Sequence, residues 1–401
     1  MLVRVPLVLL ASFALPKRGP GYLDLANIDP ALQRAALATG HQIELREEGT
    51  PLASDQLTVR ISLLSDRSFQ SYEAAFAHLQ SPPLPPDTDL FWNQGFFDVQ
   101  VDYPIRSARS HFSIDTNIAP ELGQRLKLQL EFLPVDGSPL HYRLPGRSGR
   151  IALDPRWYEA AWLFVKLGFF DGFAFDRLVF LACLIAPFRH FRSLLAVVLV
   201  WGAMQALTST AVAVSASPDS PFLTALGSTT LAAATVLLAI GNLATPSLRR
   251  RWLVGALAGA SAGFGLGALL ADALQFGGSR IVASIAAFDA GSVLAQVVTL
   301  ALVLLALRLL FARMLGAALG LVVLSAILGH MAWHWLLDEG HELTHQISHG
   351  GLSSSFNTVG LCISAALLVG ALAYFLPRGF GGSPIPSLRA ALFSRADERR
   401  D

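Results

Sequence analysis

Five of the ten histidines of this 401-residue chain fall between positions 330 and 349, in the stretch GHMAWHWLLDEGHELTHQISHGG. His330 and His334 are four residues apart, as are His341 and His345, and His345 and His349. On a helix this spacing puts two side chains on one face about one turn apart, so each pair offers two imidazoles to one ion. Imidazole suits zinc, nickel and copper, while a closed structural zinc site needs four donors. Asp338, Glu339 and Glu342 are near enough in sequence to join such a site or to form a collecting mouth around His341, His345 and His349. The bland reading of the same residues is an interfacial helix whose imidazoles titrate in water near neutral pH.

The elements that would position these residues follow from composition. With 53% apolar and 15% charged residues and a positive mean hydropathy, the chain is too apolar for an ordinary soluble domain and reads as a membrane protein in contact with lipid. A net charge of +1, with short Arg clusters between apolar runs, argues against a nucleic-acid partner. Cys183 and Cys362 lie in apolar segments without a Cys or His at ligand spacing, so they read as packing residues.

Residues 1–19, MLVRVPLVLLASFALPKRG, have one Arg followed by a short apolar stretch, which reads as a signal peptide with Ser12 and Ala14 before the cleavage point, or as an uncleaved anchor. Over 20–154 the texture becomes period-2 in YLDLANI, HQIELRE, QLTVRISLL, FFDVQVDYP, HFSIDTNI, RLKLQLEFL and PLHYRLP, which predicts an antiparallel β-sandwich. QSPPLPPDTD is a loop within it. His41, His78, His111 and His141 stand alone there, and no catalytic constellation is visible.

At 155–172, Trp157, Tyr158, Trp162 and Phe164 with Arg156 and Lys166 suit an amphipathic helix lying at a membrane interface. Seven apolar runs follow within 173–377, at about 173–188, 193–215, 222–246, 252–275, 281–307, 314–337 and 355–377. Arg189 and Arg192, Arg249 to Arg251, Arg308 and Arg313, and the Arg-rich tail 378–401 alternate with loops in which Arg280 is the only Arg or Lys. The positive-inside bias then places the tail in the cytoplasm and the β domain outside a bacterial inner membrane, where it is free to meet a protein partner.

The stretches VKLGFFDGFAFDRLVFLACLIAPFRHFRSLLAVV, RRRWLVGALAGASAGFGLGALLADALQFGGSRIVASIAAFDAGSVLAQ and LSAILGHMAWHWLLDEG resemble the HupE/UreJ family, in its form with an extracytoplasmic β domain. The resemblance implies nickel or cobalt transport, or an accessory role in maturing nickel enzymes. Of the family's ligand pattern, His330 and His334 match its His-x-x-x-His. Its Asp-His in the first helix stands here as Asp176-Arg177, and its Ala-His-Ser in the second as Met204-Gln205-Ala206. Its His-Gly-x-Gly in the fourth is Ala262-Gly263-Phe264-Gly265, and its Asn and Glu in the fifth are Asp289 and Val293.

Charged groups in a bilayer are costly and mark function or pairing. Asp176 is expected to pair with Arg177 or a backbone group, Asp272 to sit at the wet end of its helix, and Asp289 to face the bundle interior, where it is a candidate ligand beside the histidines. A rival from another class is an intramembrane serine protease, because Gly259 to Gly263 read GASAG with Ser261 in the fourth helix and His330 lies in the sixth. Close helix packing explains that small-residue run more simply. The expectation is a seven-helix membrane protein with an exported β-sandwich that handles nickel, cobalt or zinc. The alternative is a member that no longer transports and serves as a receptor or assembly module.

Overall fold

The computed structural model describes residues 1–188, 190–215, 221–243, 248–313 and 317–349, and positions 358, 361, 362, 364 and 365. The chain divides into two compact units, Met1–Pro155 and Arg156–Asp401.

The first unit contains strands β1 (Leu2–Pro6), β2 (Lys17–Arg18) and β3 (Tyr22–Leu23), helix α1 (Asp29–His41), strands β4 (Ile43–Glu47), β5 (Thr50–Pro51) and β6 (Gln56–Leu63), helix α2 (Tyr72–Gln80), and strands β7 (Gly95–Asp102), β8 (Phe112–Asn117), β9 (Lys127–Phe132), β10 (Leu140–Pro145) and β11 (Arg147–Leu153). All pairing is antiparallel, in a three-stranded sheet β1-β7-β6, a four-stranded sheet β11-β8-β4-β5, and two ribbons, β9-β10 and β2-β3. Most of the period-2 segments therefore are strands, but they are divided among these sheets and accompanied by two helices. Helix α1 occupies sequence between two expected strands. Pro30 presets its first turn, and Ala31, Leu32, Ala35 and Ala36 recur at helical spacing to bury one face.

The central strand β7 alternates strictly. Phe97, Val99 and Val101 join the core with Leu23, Leu32 and Ile61, while Asp98 and Gln100 point to the opposite face, where their side-chain contacts reach α2. The structure places the segment read as a signal peptide or anchor within the β unit. Residues 2–6 form the edge strand β1 on β7, and Leu7 and Leu10 are buried in the same core. An eleven-residue apolar stretch looks alike whether it is an export signal or a strand and turn. In the strand, alternation carries Arg4 to the polar face of the sheet, where it meets Asp98.

The second unit comprises α3 (Trp157–Asp171), α4 (Phe175–Ile185), α5 (Phe191–Ala213), α6 (Pro221–Leu243), α7 (Leu248–Leu274), α8 (Ile281–Arg313) and α9 (Ala317–Ser348). By length and composition five of the described helices, α5 to α9, can cross a membrane. The expected first span, 173–188, is the eleven-residue α4, too short to cross alone. Nor does α3 lie apart as an interfacial helix. Val165 and Phe169 abut Gly291, Gly168 abuts Phe288 and Ser292, and Gly172 abuts Ala295. Residue numbers rise together, so α3 runs parallel to α8, and α4 continues beside Leu300, Leu304 and Leu307. The expected span at 355–377 lies outside the described residues apart from five positions, and the tail 378–401 lies wholly outside them.

Helix contacts elsewhere depend on small residues, as expected where lipid competes equally for apolar surface. Gly255, Gly259, Gly263 and Gly267 recur every four residues along α7 and receive Val197, Trp201, Gln205 and Val212 of α5 in order. Leu302, Leu305 and Leu309 of α8 and Val323, Ile327 and Leu337 of α9 remain exposed, as lipid-facing residues would.

Candidate functional site

Three groups of polar residues stand out in the helical unit. The first surrounds the break between α3 and α4. There Arg177 Nη1 donates to the Asp171 carbonyl at 2.5 Å and to the Asp171 carboxylate, closing the end of α3. Arg177 is 8% exposed. Its partner is thus Asp171, and Asp176 is left to face elsewhere, against the pairing expected from sequence. The reason is helical geometry, since adjacent residues on α4 point in different directions.

Asp176 instead lines a cavity of about 310 Å³ with Phe175 of α4, Ser228, Leu231, Ala232 and Thr235 of α6, and Trp335 and Glu339 of α9. Phe175 and Trp335 meet edge to face at 5.5 Å on its wall. Thr235 donates its hydroxyl hydrogen to the Leu231 carbonyl, which leaves the oxygen's remaining lone pair available as an acceptor. Two acidic residues and two hydroxyl residues therefore line one space between helices.

The second group is a seam between α5 and α8. Ser209 and Thr210 donate to the two carboxylate oxygens of Asp289 at 3.4 and 3.5 Å, Gln205 donates to Ser292 at 2.8 Å, and Gln296 donates to Gln205 at 3.2 Å. Asp289 is half-buried and turned toward α5.

The third group caps α4. Arg251 Nη1 donates to the Cys183 and Leu184 carbonyls at 3.0 and 2.6 Å, and Nη2 donates to the side-chain carbonyl of Asn242. Asn242 in turn donates to the Cys183 carbonyl at 3.0 Å. A cation on the orphan carbonyls at a helix C-terminus opposes the negative end of the helix dipole. Arg251 thereby closes the lower half of the broken pair.

The opening histidines are arranged as pairs. The rings of His330 and His334 meet at 4.6 Å and nearly at right angles, and those of His345 and His349 stack at 4.1 Å. His330 and His334 are exposed on the stripe of α9 that carries Val323, Ile327 and Leu337, turned away from the side that packs on α6 through Gly329. The carbonyl of His341 accepts from Thr344, and that of His345 accepts from Ser348. Among the described residues, no three side chains of His, Cys, Asp and Glu gather in a way that could hold a metal ion. Asp272 is exposed near the end of α7. Ser261 donates to the Leu257 carbonyl of its own helix at 3.0 Å, and its backbone lies against Gly227 of α6. No hydrogen bond joins Ser261 to His330.

With the geometry in place, comparison with known proteins gives one match: residues 150–339 fit the family model described as HupE / UreJ protein. This segment belongs to the HupE/UreJ family. No curated protein and no solved structure matches the chain. The HupE/UreJ match and five helices apolar enough to cross a membrane together point to a membrane protein, and the family's description to a metal-related role. Within the HupE/UreJ segment the structure brings Asp176 to Glu339 in one cavity, and places Asp289 and the histidine pair elsewhere. Sequence reasoning missed Asp171, Glu339 as a cavity residue, and the Gln205–Gln296 chain. An isolated Gln in an apolar run was the available signal, since a buried amide needs partners.

The β unit also holds a cluster that sequence did not show. His78 Nε2 lies 2.8 Å from Ser62 Oγ, and His78 Nδ1 lies 3.5 Å from Asp66, the order of a nucleophile, a base and an orienting carboxylate. The hydroxyl of Ser62, however, donates to Asp98, and Ser62 is only 1% exposed, so no substrate could reach it. Arg4 donates from Nε and Nη2 to both oxygens of Asp98 at 2.7 Å and from Nη2 to Asp66 at 2.9 Å. The cluster clamps α2, β1, β6 and β7 together. Burial pushes Asp66 up, but donors from Ser68 and Arg4 outweigh it and hold its carboxyl down at about 2.

Proposed function

We propose that the protein handles a divalent transition-metal cation, nickel or cobalt, at a bacterial inner membrane, as a transporter or as an accessory to metallocentre assembly. The observation that carries this reading is the cavity in which Asp176 and Glu339 face Ser228 and Thr235 within a HupE/UreJ segment. Oxygen donors in a space of this size suit an ion that keeps part of its water shell, in contrast to a closed cage of imidazole or thiolate. A site meant to release its cargo benefits from that weaker hold. The exposed His330/His334 pair is a separate place of capture on α9. On this reading the protein is not an enzyme, since Ser261 serves helix packing. The one-sided Arg distribution supports a cytoplasmic position for Arg251 and an exported β unit.

A second reading, a member that has lost transport and acts through its β domain as a receptor or assembly module, draws on Arg177. Its guanidinium is a fixed cation at the helix break, and like charge repels a passing ion more strongly where water is scarce. Titrating nickel, cobalt and zinc into the purified protein by calorimetry separates the two. Asp176→Asn and Glu339→Gln should each weaken binding about tenfold, roughly 1.4 kcal/mol. The His330→Ala/His334→Ala variant should slow capture without abolishing it. Absence of binding in the parent would favour the receptor or assembly role, and unchanged binding in both carboxylate variants would remove the cavity as the site.

A further inference from the structure

The seam between α5 and α8 is not finished by its own side chains. Gln205, Gln296, Ser292 and Thr299 are buried there, Gln296 completely and Thr299 to 2% exposure. Gln296 uses its amide hydrogens on Gln205, yet its carbonyl oxygen Oε1 has no hydrogen-bond partner, and neither does Thr299 Oγ1 one turn further along α8. Gly202 of α5 sits directly against Gln296 Oε1, where a Cβ would come to 2.7 Å. Its neighbour Trp201, fully buried, has an indole N–H that also lacks a partner. Unpaired polar atoms so deep in a bundle are rare, and an unseen bound water is a recurrent cause.

We infer that this seam is a hydrated polar path, binding water that donates to Gln296 Oε1 and Thr299 Oγ1 and links Asp289 to the middle of α8. Water fits because Gln296 Oε1 is an acceptor and the Thr299 hydroxyl can both accept and donate, and a buried water is held by two to four such partners. A metal ion does not fit the deep part. Ser292, Gln296 and Thr299 are uncharged and carry no imidazole or thiolate, and Asp289 lies seven residues, about 10 Å of helix rise, from Gln296. From Asp289 to Thr299 the rise is about 15 Å, near half the hydrocarbon thickness. The path thus runs from Asp289 and Ser209 at one end, across bound water, to the Ser292–Gln205–Gln296 chain at mid-helix. It shares no residue with the Asp176/Glu339 cavity, so either can fail without the other.

Radiolytic hydroxyl-radical labelling of the full-length protein in lipid nanodiscs tests the path, because bound water generates radicals in place and oxidises side chains that bulk solvent does not reach. Trp201 should be oxidised in the parent despite its burial. In a Gln296→Leu/Thr299→Val double variant, oxidation of Trp201 should fall several-fold while labelling of the exposed Trp333 stays constant. Thr299→Val alone keeps the side-chain shape and should give a smaller fall with an unchanged melting temperature, which decides the matter if the double variant does not fold. An unlabelled Trp201 in the parent, or equal labelling in parent and variants, would show a dry seam and overturn the inference.

Discussion

Asp66 is held by donors that arrive from both ends of a long sequence separation, Ser68 beside it and Arg4 from the first strand. Its folded carboxyl ionises at about 2, below the ordinary value of 3.8. A carboxyl depressed on folding stabilises the native state above its unfolded pKa, and that contribution disappears as pH falls through the folded pKa. Unfolding of the β unit, followed by near-ultraviolet circular dichroism, should therefore shift to lower temperature between pH 4 and pH 2. Asp66→Asn should melt lower than the parent at neutral pH and lose part of that acid sensitivity. Equal acid slopes in parent and variant would assign the effect to other carboxylates. None of this was visible in the sequence, where Asp66 lies in a turn after β6, His78 in α2 and Asp98 in β7. The clue lay in β7, since an Asp and a Gln alternating with Phe and Val demand a polar surface opposite the core.

At the scale of elements, α7 is shaped by what its glycines leave room for. A Cβ at Gly259 would enter the Trp201 carbonyl and ring, whereas at Gly265 the nearest atom, Thr224 Cγ2, is 3.8 Å away. Gly259→Leu should accordingly separate α5 from α7 and leave little folded protein in detergent. Gly265→Ala should fold normally and gain up to about 1 kcal/mol from helix propensity, read as a raised melting temperature. If both variants melted alike, the small-residue contact would not determine this interface. The period of four in GALAGASAGFGLG was legible as close packing, and the contact with α5 follows it residue by residue. The break in the first span was less legible. Hydropathy sums over Gly172 and Asp171 without registering that Arg177 turns back to close α3, because that contact depends on the turn at Phe173 and Ala174. In the same way, two histidines four apart announce a shared face but not which way that face turns. On α9 it turns outward.

For the whole molecule, the direction of each helix constrains how often the chain crosses. Contacts of α5 with α7 rise together in number, so those helices are parallel, whereas Gln205 meets Ser292 and Thr210 meets Asp289, so α5 and α8 are antiparallel. If α3 and α4 jointly count as one crossing, the order α3–α4, α5, α6, α7, α8 alternates direction at every step and makes α3 parallel to α8, as the contacts of Gly168, Gly172 and Gly291 require. Treating α3 as a surface helix would leave that parallel packing unexplained. The interrupted pair therefore runs alongside α8, with its polar break beside Ala295, near the middle of α8. Impermeant maleimide labelling of single cysteines, in a Cys362→Ser chain whose buried Cys183 does not react, makes the point measurable. Arg156→Cys and His345→Cys should label from one side of sealed vesicles, the periplasmic side by the positive-inside bias, and Arg250→Cys from the other. Labelling of Arg156→Cys from the same side as Arg250→Cys would mean that the broken pair turns back without crossing, and would place the β unit in the cytoplasm.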